Sequence, residues 1–399
     1  MALPLDEIRV LDIGGLGPGA MAAMMLGDLG ADVIRVDMTT GEGGVGSGIS
    51  YFPPGEAGER LLAHSPMFRN KRNLALDLKS ETGQDIFRRI VRTADVLIEG
   101  FRPGVMDRMN LGYEVLSKIN PGLIYCAVTG FGQTGPYKDM PGHDAVFTAM
   151  GGAQALIGES EEAPPVIPQT FVADLAIGWM EATVGILAAL WARERTGRGQ
   201  MVDISLMDGV VSLLPMITGA HSFLADGKIP RRGEMLASGR KPYYATYKTR
   251  DGKYITITPV EPKFWRNLCR ALGREDLIPL QYDPAKQEYL RAQLTAIFLT
   301  RTRDEWFALL GPADVGVGKV LRLDEVFTDP HALSRGMILE LDHPKFGKVK
   351  QIGFGIKFSE TPPSVRRLPK PPGADTEEIL SEAGYSRDEI ESFRRRGVI

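Results

Sequence analysis

Proton-transfer side chains occur at three points along the chain. His143 and Asp144 lie in the stretch PGHD, after the Gly-rich loop GFGQTGP, and Asp174 begins the apolar helical stretch FVADLAIGWM. Glu261 lies in TPVEPKFW, between a predicted strand and a helix that starts near Pro262. Imidazole and carboxylate groups are the usual general acids and bases of enzymes. Each carboxylate also fits a structural role at a helix N-terminus, so no single position assigns a function.

Several basic residues follow predicted loops and strand ends. Lys71 and Arg72 come after a long Gly-rich stretch, Arg102 lies in FRPG at a strand end, and Arg108 falls further along the next predicted helix. The formal net charge of the chain is −3, so these positive charges are local features. They indicate either a site for a phosphorylated ligand or a solvated basic face.

Common catalytic and metal-binding motifs are missing from the sequence. The chain has no GxSxG, Walker A, HExxH or CxxC pattern, and His143 has no second histidine at metal-ligand spacing. We therefore expect no metal site. Cys126 and Cys269 each lie in an apolar run, which favours two buried free thiols.

The charge balance indicates which partners are disfavoured, and the N-terminal sequence indicates the compartment. Lys and Arg number 47 against 50 Asp and Glu, which disfavours a nucleic-acid or membrane surface as the main partner. The N-terminus MALPLDEIRV lacks a signal-peptide pattern, and no apolar run is long enough for a membrane span. We expect a soluble, cytoplasmic protein.

The elements that must position these residues alternate between strand and helix. The run IRVLDIGG, the helical stretch GPGAMAAMMLGDLG and the run ADVIRVD form a predicted βαβ unit, and the alternation continues to about residue 150. This pattern predicts an α/β domain with a mostly parallel sheet, whose ligands bind at the carboxyl ends of the strands. Those ends are GGLGPG, which contains Gly17; EGFRPG, which contains Gly100 and Phe101; and TGFGQTGPYKDMPGHD.

Other segments set the predicted domain bounds. Residues 39–70 are Gly-rich and are predicted to form a long loop or flap, and residues 171–196 a long helix. The residue composition changes near residue 222, and beyond it KPYYATYKTRDGKYITITPV predicts an aromatic-rich hairpin. We predict a large domain over 1–222, a small α+β domain over 223–330, and a C-terminal segment over 331–399.

Taken together, the motifs resemble the family III CoA-transferases and their relatives the α-methylacyl-CoA racemases, the CaiB/BaiF-like superfamily. The matching stretches run in order over nearly the whole chain: GADVIRVD, KRNLALDLKSETG, ADVLIEGFRPGVMDRMNLGYEVL, NPGLIYCAVTGFGQTGP, PGHD, GILAALWARERTGRGQMVDISLMDG and VEPKFW.

The resemblance implies a Rossmann-like large domain, a small α+β domain and a C-terminal segment that returns to the large domain. It implies an interlocked dimer, which we expect to be a homodimer although a pair with a related subunit stays open, with coenzyme A bound as part of the substrate and no tightly bound cofactor. Arg108 matches a family arginine that contacts CoA phosphates, and the strand-end groove is expected to be lined by Gly17, Lys71, Arg72, Gly100, Phe101 and Arg102. Met38 stands where the family usually has a further arginine.

Two chemistries in this superfamily use the aspartate that Asp174 matches. In the transferases it is the nucleophile, whereas in the racemases it is one of two bases around the α-carbon. The second racemase base matches His143, supported by a glutamate that matches Glu261, and backbone N–H groups at the start of the Asp174 helix are candidate enolate donors.

We expect a racemase or epimerase of 2-methylacyl-CoA that works by 1,1-proton transfer, with His143 and Glu261 favouring this activity. The alternative is a CoA-transferase that forms an aspartyl-CoA thioester on Asp174. The stretch DLAIG favours the alternative, because racemases usually carry more glycines there. No motif indicates the acyl group.

Overall fold

The structure is a computed structural model that describes residues 2–13, 15–38, 52–53, 55–217 and 220–399. The chain forms two compact units. The first comprises Met1–Gly151, Gln169–Val211 and Pro330–Ile399, and the second comprises Gly152–Pro168 and Ser212–Asp329.

A six-stranded parallel sheet forms the centre of the first unit. Its strands, in chain order, are β1 (Arg9–Ile13), β2 (Asp32–Asp37), β3 (Lys71–Ala75), β4 (Val96–Glu99), β5 (Ile124–Thr129) and β6 (Met201–Ser205). Their spatial order is β3-β2-β1-β4-β5-β6, and every neighbouring pair is parallel. This is the strand order of a Rossmann fold, in which ligands bind where the order reverses, between β1 and β4. The predicted α/β class is confirmed.

The other strands form two smaller antiparallel sheets. The second unit contains β7 (Ala245–Lys248), β8 (Tyr254–Ile257) and β9 (Val317–Lys319), paired in that order. The first unit contains the hairpin of β10 (Ile338–His343) and β11 (Gly347–Ile352). The pair β7–β8 is the aromatic-rich hairpin predicted from the sequence.

The helices lie between these strands and over the sheets. They are α1 (Pro18–Asp28), α2 (Glu56–His64), α3 (Glu81–Val91), α4 (Val105–Arg108), α5 (Tyr113–Ile119), α6 (Asp144–Met150), the π-helix (Val172–Gly178), α7 (Trp179–Thr196), α8 (Leu206–Ile217), α9 (Ala220–Asp226), α10 (Pro262–Ala271), α11 (Gln287–Phe298), α12 (Arg303–Leu310), α13 (Leu323–Val326), α14 (Pro330–Ser334), α15 (Thr376–Glu382) and α16 (Arg387–Arg395). Short 3₁₀ turns occupy Pro66–Phe68, Gln154–Leu156, Leu236–Ser238, Glu275–Leu280, Pro284–Lys286 and Gly311–Ala313.

One prediction for the segment 39–70 is wrong in part. The sequence predicted a long loop there, but α2 is a helix within it, and its residues Leu62 and Ala63 are buried. An apolar face at helical spacing was present in EAGERLLAH and was outweighed by the surrounding glycines. Residues 39–51, which carry most of those glycines, lie outside the described residues.

The C-terminal part of the chain covers the open edge of β3. The Asp375 carboxylate accepts the backbone N–H of Asn73, and the Thr376 hydroxyl accepts that of Ala75. An uncovered edge strand exposes unpaired backbone groups and invites association with other chains. Side chains from the C-terminal segment satisfy this edge within the chain itself.

The segment Val172–Thr196, formed by the π-helix and α7, is long and apolar enough to cross a bilayer by length and composition. Core helices of soluble proteins meet the same criterion. Here α7 packs against α1, β5 and β6. This packing gives the apolar composition a role inside the first unit.

Candidate active site

A cavity of about 1000 Å³ opens at the carboxyl ends of the parallel strands. Among the residues expected from the sequence to form the site, His143, Asp174, Gly100, Phe101 and Arg102 line it. All of its lining residues belong to the first unit: Leu16, Pro18, Gly19, Met38, Lys79, Gly100, Phe101, Arg102, Pro103, Val105, Met109, Val128, Thr129, Gly130, Lys138, Met140, Pro141, Gly142, His143, Ala145, Val146, Phe147, Asp174 and Leu206.

Asp174 lies in the π-helix, a rare turn that occurs often at functional sites. The turn begins after Phe171, whose φ of 52° is left-handed, and the Ala176 N–H donates to the Phe171 carbonyl five residues back. The Asp174 N–H donates to Oδ1 of Asp144 at 3.0 Å. That bond fixes the π-helix against the first turn of α6. One oxygen of the Asp174 carboxylate, Oδ1, is buried and has no hydrogen-bond partner among the described residues.

The pKa of Asp174 is raised to about 6. Burial is the largest cause, and the negative charge of Asp144 adds to it, while His143 and the Asp144 backbone N–H act in the opposite direction. Asp144 is itself buried, so its charge is weakly screened. The result is a carboxyl group with a pKa close to that of an ordinary imidazole, about 6.5. A group of this kind takes up and releases protons near neutral pH.

His143 immediately precedes α6 and is exposed to the cavity side of the loop that follows β5. Its backbone carbonyl accepts the Val146 N–H, and its side chain makes no capping bond to α6. The loop is held in place by Phe147, since a Cβ on Gly130 or Gly142 would meet the Phe147 ring at 2.2 or 2.6 Å. Only glycine at both positions allows the loop to close this tightly around the ring.

Lys71 and Arg72 do not reach the cavity, which corrects the expectation that they line the CoA groove. Lys71 is fully buried, and its Nζ binds Asp12 Oδ2 and the Ala20 carbonyl, both at 2.8 Å. Arg72 pairs with Asp32, Glu378 and Glu382. Both residues begin β3 and therefore lie at its amino end, whereas ligands bind at the carboxyl end.

Three other basic residues line the cavity. Lys79 follows β3 at its carboxyl end, Lys138 lies in the loop after β5, and both line the cavity together with Arg102. All three side chains are exposed. Lys79 lies four residues after the end of β3, whereas Lys71 and Arg72 begin that strand.

Arg108 and Gly17 are near the cavity without lining it. Arg108 is exposed on α4, and its Nη1 would lie 3.3 Å from a Cβ on Gly104. Gly17 precedes α1 with a φ of 116°, a conformation that favours glycine, and its neighbours Leu16 and Pro18 line the cavity. The role of Arg108 in phosphate binding stays a prediction.

Glu261 belongs to the second unit. It precedes α10, is exposed, and makes no side-chain bond to the helix. Its role as the partner of His143 stays a prediction. Among the residues that the structure describes, no cluster of His, Cys, Asp and Glu side chains could hold a metal ion.

Asp144 makes a contact in the site that the sequence did not predict. It was expected only to cap α6, but its carboxylate binds the Asp174 backbone and raises the Asp174 pKa. The two residues are 30 positions apart, and nothing in the local sequence of either indicates that they meet.

The fold and the site together define an α/β enzyme whose cavity, at the Rossmann switch point, contains an imidazole and a carboxyl group that titrates near neutral pH. The profile of CoA-transferase family III matches residues 5–376. The chain is 35% identical to the α-methylacyl-CoA racemase of Mus musculus, over 97% of this chain and 95% of that protein. It is 32% identical to the succinyl-CoA:glutarate CoA-transferase of Mus musculus, over 99% and 90%.

A solved structure is also similar to this chain. A CaiB/BaiF family protein from Brucella suis superposes with a TM-score of 0.81 at 31% identity, covering 96% of this chain and all of that one. The chain belongs to CoA-transferase family III. Its relatives include both α-methylacyl-CoA racemases and CoA-transferases.

Proposed function

We propose that the protein is an acyl-CoA racemase or epimerase that inverts the α-carbon of 2-methylacyl-CoA thioesters by 1,1-proton transfer. The observation that carries the proposal is that His143 and Asp174 line one cavity, although they are 31 positions apart in the chain. Inversion requires one group to remove the α-proton and a second to return a proton to the other face. An imidazole and a carboxyl group whose pKa is raised to about 6 suit that pair of tasks.

The proposed reaction has two steps. In one direction the Asp174 carboxylate removes the α-proton, and the C–H electron pair forms a C=C bond as the thioester carbonyl becomes an enolate. The imidazolium of His143 then donates its proton to the opposite face, and the carbonyl re-forms. In the other direction the two residues exchange tasks. The pair therefore holds one proton before and after each turnover.

The apolar wall of the cavity supports a hydrophobic acyl group. Met38, Met109 and Met140 line it with Val146 and Phe147. Unbranched methionine side chains adapt to groups of different shape. The three cations that line the cavity, Lys79, Arg102 and Lys138, are exposed, and we propose that they bind CoA phosphates together with the backbone around Gly100 and Phe101.

The alternative is CoA transfer between carboxylic acids through an aspartyl-CoA thioester on Asp174. The buried Oδ1 of Asp174, which has no hydrogen-bond partner in the described part of the chain, favours this activity because an unpaired carboxylate oxygen is a better nucleophile. A transferase would use Asp174 and have no need of an imidazole on the other face.

We further propose an interlocked homodimer in the cytoplasm, with CoA as part of the substrate and no tightly bound cofactor. Met180, Val184 and Trp191 on α7 support the dimer, since they are apolar, 48%, 66% and 65% exposed, and follow helical spacing. In such a dimer Glu261 of one subunit would support His143 of the other.

The test uses one enantiomer of a 2-methylacyl-CoA in deuterated water, without an acceptor acid. We expect deuterium at the α-position together with loss of optical activity. Asp174→Asn and His143→Ala should each lower that rate by about 10²–10⁴-fold, because each removes a proton-transfer group. Mass spectrometry and polarimetry measure the two signals.

The matched control is Asp139→Asn, an exposed carboxylate in the same loop that does not line the cavity, and its rate should equal that of the wild type. CoA exchange into a free carboxylate without α-deuteration would establish the transferase. In that case Asp174→Asn would be inactive and His143→Ala would remain active.

A further inference from the structure

One buried carboxyl group is left unused by the proposed reaction. Glu99 is the last residue of β4 and is 4% exposed. Its pKa is raised to about 8 by burial and, to a smaller extent, by Asp107 on α4 and Asp203 on β6, while the Phe101 N–H opposes the rise. Tyr125 and Cys126 on β5 are the other titratable groups that interact with it. Among the described residues, no cation forms an ion pair with Glu99, so ion pairing does not explain a carboxyl group at this position.

The contact that Glu99 does make is with the wall of the cavity. Its Oε2 accepts the backbone N–H of Phe101 at 2.7 Å. The bond spans two residues and closes a turn directly after the strand, at the point where Gly100, Phe101, Arg102 and Pro103 line the cavity. The side chain therefore determines where this part of the wall begins.

The far end of the same wall is fixed by the backbone. The Val105 N–H donates to the Arg102 carbonyl at 3.1 Å, and Gly104, with a φ of 78°, turns the chain into α4. Pro103 restricts φ between these two points. With Glu99 bound to Phe101, both ends of the Gly100–Gly104 segment are held, and the Arg102 side chain starts from a fixed backbone.

We propose that Glu99 is a positioning residue for CoA binding: by accepting the Phe101 N–H it preorganises the cavity wall that carries Arg102. The inference rests on the proposed function in that the ligand of this wall is CoA or its thioester. A loop that is already ordered loses less conformational entropy when the ligand binds, so its affinity is higher. Glu99 does not line the cavity, so its effect should fall on binding and leave the proton-transfer step unchanged.

Two substitutions separate the hydrogen bond from the charge. Glu99→Gln keeps an acceptor oxygen at the same position without a titratable group, and Glu99→Met fills a similar volume without an acceptor. By calorimetric titration with CoA, we expect Glu99→Met to bind about tenfold more weakly than the wild type and Glu99→Gln to bind within about threefold of it. In the α-deuteration assay, KM should rise for Glu99→Met while kcat is retained.

Amide hydrogen exchange tests the same contact without any ligand. The Phe101 amide should be protected in the wild type and in Glu99→Gln, and should exchange faster in Glu99→Met. The control is Glu114→Met, at an exposed carboxylate on α5 away from the cavity, which should change neither CoA affinity nor Phe101 exchange.

The outcomes are distinct. Equal CoA affinity for the wild type and Glu99→Met, or a Glu99→Gln variant as weak as Glu99→Met, overturns the inference and leaves the proposed function standing. A wild-type protein that binds neither CoA nor its thioesters refutes the proposed function as well. If both variants unfold at the same temperature as the wild type, a difference in CoA affinity comes from the cavity wall and not from a loss of folded protein.

Discussion

At the scale of single residues, the site depends on two carboxylates that share one environment. Asp144 is buried, accepts the Asp174 backbone N–H, and its charge helps to raise the pKa of Asp174 to about 6. His143, the residue before Asp144, acts in the opposite direction. Burial is the largest cause of the raised pKa, and the charge of Asp144, a residue 30 positions away in the chain, adds to it.

The first prediction concerns the pH dependence of activity. Below about pH 6 the Asp174 carboxyl takes up a proton and can no longer remove the α-proton, so kcat/KM should fall on the acidic side. Asp144→Asn keeps the acceptor oxygen but removes the like charge, so the pKa of Asp174 should fall and the acidic limb should move to lower pH by about one unit.

The measurement is the pH profile of α-deuteration for both proteins between pH 4 and 9. Asp139→Asn, which removes a carboxylate that does not line the cavity, should leave the acidic limb in place. An acidic limb that stays fixed in Asp144→Asn, or moves to higher pH, would contradict the assigned cause of the raised pKa.

At the scale of elements, the position of Asp174 depends on close packing around the junction of the π-helix and α7. Gly178 ends the π-helix, and a Cβ there would lie 2.2 Å from Leu206 Cδ2, 3.0 Å from the Ala173 carbonyl oxygen and 3.2 Å from Pro18 Cβ. Leu206 begins α8, and Pro18 begins α1. The π-helix, α8 and α1 therefore pack closely at a position that has no side chain. Leu206 and Pro18 also line the cavity.

Gly178→Ala should therefore destabilise the protein even though alanine is the better helix former. The added methyl group forces Leu206 and Pro18 to move, and we expect a loss of about 1–3 kcal/mol in the free energy of unfolding. Activity should fall as well, since the shift displaces Asp174. Denaturant unfolding and the deuteration rate measure the two effects.

The control for this substitution is Gly355→Ala, in the same unit, where a Cβ would meet nothing within 4 Å. Its free energy of unfolding should stay within about 0.5 kcal/mol of the wild type. Equal stability of both variants would show that the Gly178 junction has room that the structure does not indicate.

At the scale of the whole molecule, Asn70 connects parts of the first unit that are distant in sequence. Its amide nitrogen donates to Asp28 Oδ1 and the Ser364 carbonyl, both at 2.8 Å. Its amide oxygen accepts the backbone N–H groups of Arg366 and Arg367 at 2.6 and 3.0 Å. One buried side chain thereby joins α1, the start of β3 and the C-terminal segment.

Asn70→Ala removes all of these side-chain bonds and leaves buried groups without partners. We expect the free energy of unfolding to fall by about 2–4 kcal/mol, measured with urea. Part of the loss comes from the backbone, because the φ of Asn70 is 56°, a left-handed value that alanine disfavours.

Asn110→Ala isolates that backbone contribution. Asn110 has a φ of 59° and is exposed, so its replacement should cost only about 1 kcal/mol. If the two variants lose equal stability, the hydrogen bonds of Asn70 to the C-terminal segment contribute nothing measurable, and the connection has another cause.

Much of the fold could be predicted because it follows from local patterns of apolar residues in the sequence. Short apolar runs such as RVLDI and IYCAVT predict buried parallel strands, and the structure forms β1 and β5 there. The resemblance to the family indicated that His143 and Asp174 were candidate proton carriers, whereas the residues taken singly did not. The helix α2 was missed because glycines around it masked a short amphipathic pattern.

The sequence by itself determined the alternation of strands and helices in the first 150 residues, because it follows from residue type and local spacing, and it determined the family resemblance through motifs that occur in order along the chain. Only the tertiary structure decided which cations meet the cavity, since Lys71 begins β3 and is buried against Asp12, whereas Lys79 lies beyond the carboxyl end of that strand and lines the cavity. The proton affinity of Asp174 was also decided there, because burial and the charge of Asp144 arise from residues that meet only in the folded chain.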